Sequence, residues 1–120
     1  MKIERFEDIQ AWQEARNLTN LIYNLCKGNS FSKDFGLRDQ IQRASVSIMS
    51  NIAEGFDSQS DIEFIKFLNY SRRSASEVQS HLYVALDQEY IANDKFTEIY
   101  EKCRAIKRMI AGFIKYLKKT

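Results

Sequence analysis

Apolar residues recur along this chain at intervals of three and four, which is the spacing of one buried face of an α-helix. Four segments carry the pattern, and it is unbroken over residues 64–85 and 96–117. The first segment has an apolar arc wide enough to contact two neighbouring helices. Proline is absent and glycine occurs only four times, which favours long helices over tightly turned strands.

The pattern predicts helices over about residues 7–27, 37–56, 61–90 and 94–117, joined by short polar loops. Gly28 and Asn29 mark the end of the first helix, and Ser60 with Glu63 has the spacing of a capping box at the start of the third. Four helices of this length with short connections are typical of an antiparallel up-down-up-down four-helix bundle. We therefore predict an all-α fold and a single domain over residues 1–120.

A second pattern, made of hydrogen-bonding side chains, runs along the second helix. It comprises Gln40, Arg43, Ser47, Asn51 and Glu54. At about 100° per residue these positions form a polar stripe beside the apolar face. On the third helix Ser74 and Glu77 share a face, and Glu77 is the expected partner of Arg43. We interpret the stripe as a polar seam between helices or between subunits that fixes their register. A ligand site and a catalytic site are the alternatives.

Catalytic and metal chemistry are not indicated by the residue types present. Ser47 has no histidine nearby in the sequence to act as a base. The only histidine, His81, and the two cysteines are too few for a metal site. Cys26 and Cys103 lie on apolar faces of different helices and are expected to be reduced core residues. We predict no catalytic residue, no metal and no cofactor.

Positive charge is concentrated in the last helix. The net charge of the whole chain is only +2, but residues 102–120 contain seven basic residues and no acidic one. The negative end of the helix dipole explains cations in the last turn, but not those two or more turns earlier. The segment is therefore a candidate nucleic-acid-binding surface, although no nucleic-acid motif accompanies it. The candidate residues are Arg104, Lys107, Arg108, Lys115, Lys118 and Lys119.

No targeting segment is evident. The first ten residues alternate charged and apolar side chains, unlike a signal peptide. No apolar run approaches the ~18–20 residues that a membrane-spanning helix requires. We expect a cytoplasmic protein with no membrane partner.

The second helix also resembles the signature of a known family. The residues that carry the likeness are Gln40, Ile41, Arg43, Ala44, Ser47, Ile48, Asn51, Ile52, Ala53, Glu54 and Gly55, and it extends to Phe6, Ile9, Ala11, Trp12, Gly36, Leu37, Phe64, Phe67, Leu68, Ser74 and Glu77. The chain is similar to the bacterial four-helix-bundle proteins encoded within intervening sequences of 23S ribosomal RNA. Met49 stands where that family usually has proline and is expected to straighten the second helix. Arg73 stands where it usually has glycine.

The resemblance implies a bundle that assembles into a ring, commonly a pentamer, and a function that is largely uncharacterised. The family is also similar to the accessory bundle of diversity-generating retroelements, which works with a reverse transcriptase and RNA. We therefore expect a non-catalytic homo-oligomeric module that binds RNA or an RNA-associated protein. The main alternative is a scaffold ring that binds another protein and has no nucleic-acid role. A small hydrolase would require turnover that depends on Glu54 or Glu77.

Overall fold

The computed structural model describes residues 3–119, and over that range it contains four long helices and no strand. Helix α1 covers Gln10–Leu25, α2 covers Phe35–Asp57, α3 covers Asp61–Asp87 and α4 covers Asn93–Lys118. Single turns of 3₁₀ helix, Phe6–Asp8 and Phe31–Lys33, precede α1 and α2. The predicted all-α fold with four helices is confirmed.

Side-chain caps begin α2 and α3, and a backbone motif ends α3. Asp34 caps α2 by accepting a hydrogen bond from the Leu37 N–H, and Ser60 caps α3 by accepting from the Glu63 N–H at 3.3 Å. Helix α3 stops three residues before its predicted end, because Glu89 takes a left-handed conformation with φ of 61°. The Tyr90 N–H then bonds back to the Ala85 carbonyl at 2.9 Å, as in a Schellman cap.

Each helix packs against two others: α2 contacts α1 and α3, and α4 contacts α3 and α1. The residues buried in α2, α3 and α4 are largely those that the three- and four-residue spacing predicts. The predicted residues that are buried are Leu37, Ile41, Ala44, Ile48 and Ile52 in α2; Phe64, Leu68, Ser71, Ala75, Val78, Leu82 and Ala85 in α3; and Ile99, Cys103, Ile106, Ile110 and Leu117 in α4. Buried residues that the spacing did not predict are Ser45, Gly55, Ser74, Gln79 and Ile114. Phe96 and Phe113 are only partly buried. As predicted, Cys26 and Cys103 are buried and free.

Hydroxyl groups of α1 and α3 donate hydrogen bonds to the backbone of α2. On one side, Thr19 of α1 shares its hydroxyl proton between the carbonyl oxygens of Ala15 at 2.8 Å and Ser45 at 3.2 Å. On the other side, the buried Ser71 of α3 donates to the Ile48 carbonyl at 2.7 Å. Helix α2 is uninterrupted through Met49, in keeping with the absence of proline there. No helix in the described range is long and apolar enough to cross a membrane.

Candidate functional site

The polar stripe of α2 is divided into a hydrogen-bonded part and an exposed part. Asn51 Nδ2 donates to the carbonyl oxygen of Ser47 at 2.9 Å and to its Oγ at 3.0 Å. Ser74 Oγ, from α3, donates to Ser47 Oγ at 2.9 Å. These three side chains form a polar link between the two helices. Its role in fixing the register of the helices stays a prediction.

The remaining stripe residues, Gln40, Arg43, Glu54 and Glu77, are exposed. Arg43 and Glu77 border the same shallow pocket between α2 and α3. Neither forms an ion pair with any group in residues 3–119. The expected desolvated Arg43–Glu77 pair is therefore not made within the single chain, because both side chains reach into water, where an ion pair gains little.

The exposed side of the stripe lines an open groove along α2. Arg43, Ser47, Asn51 and Glu54 face it, together with Tyr23 of α1. Ser47 is not an activated nucleophile here, because its hydroxyl is bonded to Asn51 and Ser74, and neither of these side chains is a base. Within the described residues, no three His, Cys, Asp or Glu side chains lie close enough to hold a metal ion.

Of the six basic residues predicted as a nucleic-acid-binding surface in α4 and its C-cap, two have side-chain partners within the chain. Arg104 pairs with Glu101 at 3.2 Å on the surface, and Lys107 Nζ donates to Gln79 Oε1 of α3 at 3.2 Å. The other four are Arg108, Lys115, Lys118 and Lys119. They are exposed and pair with no carboxylate in the described part of the chain.

Helix α3 adds a cation that the sequence analysis did not single out. Arg72 lines a surface depression with Lys115 and Lys118 of α4, and Ala111 and Gly112 also line it. The signal in the sequence was the helical spacing of residues 72, 79 and 83 in α3, which places them on one face towards α4. That face became recognisable only once the partner of α3 was known.

The family model of the 23S rRNA-intervening sequence protein matches residues 7–112 of this chain. The chain belongs to that family. Among solved structures, this member of the 23S rRNA-intervening sequence family is similar to a protein with unknown function from the S23 ribosomal protein family of Bacteroides thetaiotaomicron. The two sequences are 28% identical, the match covers 88% of this chain and 98% of the other, and the TM-score is 0.81. No protein of curated function matches the sequence.

The family match confirms the resemblance carried by α2. It ends at residue 112, so Lys115, Lys118 and Lys119 lie beyond the matched residues. The polar link between Ser47, Asn51 and Ser74 lies within them. Neither the family description nor the solved relative assigns an activity to these residues.

Proposed function

We propose that this member of the 23S rRNA-intervening sequence family is a non-catalytic, oligomeric binding module that contacts RNA, or a protein bound to RNA, through the basic side of α4. The observation that carries the proposal is a group of exposed cations in the second half of α4 and at its C-cap, none of which has a carboxylate partner in residues 3–119. They are Arg108, Lys115, Lys118 and Lys119. Arg72 of α3 extends this surface. Such cations bind phosphates with release of counterions, which gives affinity with little sequence preference.

The proposal includes an antiparallel up-down-up-down arrangement within one domain. It is supported by the order of the contacts: residues near the end of one helix contact residues near the start of the following helix, and earlier residues of the first contact later residues of the second. Near the end of α2, Gly55 adjoins Phe64 at the start of α3, whereas earlier in α2 the Ile48 carbonyl meets Ser71. Between α3 and α4, Tyr83 contacts Phe96 and Phe64 contacts Phe113.

We also propose that the chain forms a homo-oligomeric ring, with five subunits favoured by the family resemblance. Large apolar and aromatic side chains left exposed on the single chain support an interface between copies. They include Phe35, Val46, Ile62, Tyr70, Val84 and Tyr116. A closed ring repeats α4 around one axis, so that the cations of each subunit join into a positive belt. The two free thiols fit a reducing compartment such as the cytoplasm.

Titration of a labelled structured RNA at low and moderate salt tests the proposal. The test variant changes Arg108, Lys115 and Lys118 together to Gln, and the matched control changes Arg16, Lys27 and Lys33 to Gln. We expect the test variant to bind more weakly on all sequences, with a slope of log affinity against log salt reduced by roughly 2. The control should behave like the parent protein.

Two outcomes would count against RNA binding. If the parent binds no RNA at low salt, the basic side of α4 is only a solvated surface, and a scaffold ring that binds another protein becomes the better proposal. If the control weakens binding as much as the test variant does, the attraction comes from overall charge and not from α4. Light scattering on all three proteins checks that the oligomer is unchanged.

A further inference from the structure

The groove between α3 and α4 has a basic end and an aromatic end. At the basic end Arg72 of α3 lies with Lys115 and Lys118 of α4. At the aromatic end Tyr83 of α3 contacts Phe96 and Tyr100 of α4. We call this surface the α3–α4 groove, and it consists of Arg72, Ser76, Gln79, Tyr83, Phe96, Tyr100, Lys107, Ala111, Lys115 and Lys118.

Helical spacing and hydrogen bonds make the two ends parts of one surface. At about 100° per residue, positions 72, 76, 79 and 83 share a face of α3, and positions 100, 107, 111, 115 and 118 share a face of α4. In the middle, Gln79 Nε2 donates to the Tyr100 carbonyl at 3.4 Å, and Gln79 Oε1 accepts from Lys107 Nζ at 3.2 Å. Gln79 is 7% exposed, so these bonds lie buried where the two helices meet.

The aromatic end is a cluster of three rings in mutual contact, one of which is half exposed. The ring centroid of Tyr83 lies 4.9 Å from that of Phe96 and 5.8 Å from that of Tyr100. Phe96 and Tyr100 in turn stack at 5.4 Å. Tyr83 is nevertheless 50% exposed. A ring held in place by two others loses little conformational freedom when a flat ligand stacks on it, which favours binding.

The chemistry of the groove selects among anionic partners. Phosphates of any nucleic acid can contact the basic end, but a duplex keeps the faces of its bases stacked and out of reach. Single strands and loops expose base faces that stack on aromatic side chains, and proteins that bind them combine cations with such rings. Tyr100 and Lys115 are separated by about 22 Å along α4, at 1.5 Å per residue. That length accommodates a strand of several nucleotides.

We propose that the α3–α4 groove binds single-stranded RNA, with an unpaired base stacked on Tyr83 and phosphates further along the same strand on Arg72, Lys115 and Lys118. The proposal rests on the proposed RNA-binding function and specifies its substrate class. The aromatic end supplies the preference for unpaired nucleotides, and the basic end supplies the salt-dependent affinity.

The experiment compares a labelled single strand of about 12 nucleotides, within the usual site sizes of such proteins, with a duplex of the same length. The variants are Tyr83→Leu, which removes the ring, and Tyr83→Phe, which keeps it. Tyr23→Leu is the matched control, because Tyr23 is another exposed tyrosine but lies on α1, beside the α2 groove. Circular dichroism and light scattering verify that all variants keep the fold and the oligomer.

We expect the parent to prefer the single strand over the duplex. Tyr83→Leu should weaken single-strand binding by roughly 5- to 150-fold, the effect of losing one stacked base, and should leave duplex binding and the salt slope unchanged. Tyr83→Phe and Tyr23→Leu should bind like the parent.

The outcomes separate this inference from the function on which it rests. Equal binding of single strand and duplex, with Tyr83→Leu indistinguishable from the parent, would overturn the stacking site and leave RNA binding by α4 standing. Failure of the parent to bind either RNA would overturn both. Displacement of the single strand by an equal concentration of a poly-glutamate peptide would also overturn the inference, because it would identify the groove as a site for an acidic protein segment.

Discussion

Gly55 offers the sharpest test of how closely α2 and α3 pack. A Cβ atom at this position would lie 2.8 Å from Phe64 Cδ1, 2.9 Å from Phe67 Cβ and 3.3 Å from the Phe64 carbonyl oxygen. The Phe64 ring can rotate away. Phe67 Cβ and the carbonyl oxygen are fixed to the backbone, however, so α3 itself would have to move.

The expected cost of Gly55→Ala follows from two opposing effects. Overpacking a tight contact costs about 1–3 kcal/mol, and the upper half of that range applies where the backbone must shift. Replacing glycine by alanine within a helix returns about 1 kcal/mol. We therefore expect Gly55→Ala to lower the free energy of unfolding by roughly 1–2 kcal/mol.

Gly112 provides a matched control within α4. It is exposed, and a Cβ there would meet nothing within 4 Å. Gly112→Ala should therefore raise the free energy of unfolding by about 0.5–1 kcal/mol from helix propensity alone. The same substitution thus has opposite signs at the two positions, and the two variants should differ by roughly 2–3 kcal/mol.

Urea denaturation at one fixed protein concentration measures the difference, because assembly makes stability depend on concentration. Unchanged m-values would show that the variants differ in stability and not in their unfolded states. A Gly55→Ala variant as stable as Gly112→Ala would refute the close approach of α2 and α3 at this point.

Four further predictions follow from the structure. Glu89→Gly should raise the free energy of unfolding by about 0.5–1 kcal/mol, because glycine adopts the φ of 61° without strain; a destabilised variant in urea denaturation would contradict this. Arg43→Ala should change the free energy of unfolding by less than about 0.5 kcal/mol in a dilute, unassembled chain, because the side chain is exposed. A loss of several kcal/mol would show that Arg43 has a buried partner. Burial raises the pKa of Cys26 to about 11 and that of Cys103 to about 12. The pKa of a thiol in the unfolded chain is about 8.5, so the thiols should not affect stability below that pH. Stability should fall as the pH rises from about 9 to 11, because the unfolded chain loses these protons before the folded chain does. Melts at pH 7 and pH 10 on the parent and on Cys103→Ala check this, and an equal drop in both proteins would exclude Cys103 as a cause. Light scattering at micromolar concentration should give the mass of several subunits, with five favoured, and the mass of a single chain would contradict the proposed assembly.

The spacing of apolar residues was sufficient to predict the helices and most of the core, because burial of one helix face depends on local periodicity. Contacts between helices depend on which faces meet, and the sequence does not show this directly. The link from Asn51 to Ser47 lies within one helix turn and follows from the stripe. Glu77 was expected opposite Arg43, but nothing in helical spacing keeps such long side chains out of water.

Arg72 is a residue of the candidate surface that the sequence did not reveal, for a different reason. The basic segment of α4 is visible because its residues are consecutive, whereas Arg72 joins Lys115 and Lys118 only through the packing of α3 on α4. Helical spacing places Tyr83 on the same face of α3 as Arg72, but it does not show which side chains of another helix surround it. Its place beside Phe96 and Tyr100, at one end of a charged groove, required the tertiary structure.

The hydrogen bonds from Thr19 and Ser71 to the backbone of α2 affect how easily this helix could slide along its neighbours. Helices in switching proteins can ratchet past one another by one turn, about 5.4 Å. Such a slip of α2 would separate Thr19 from the Ser45 carbonyl and Ser71 from the Ile48 carbonyl at the same time. The two bonds together oppose such a slip by about 1–3 kcal/mol. A conformational change in this bundle would therefore cost less if α2 moved together with α1 and α3 than if it slid past both of them.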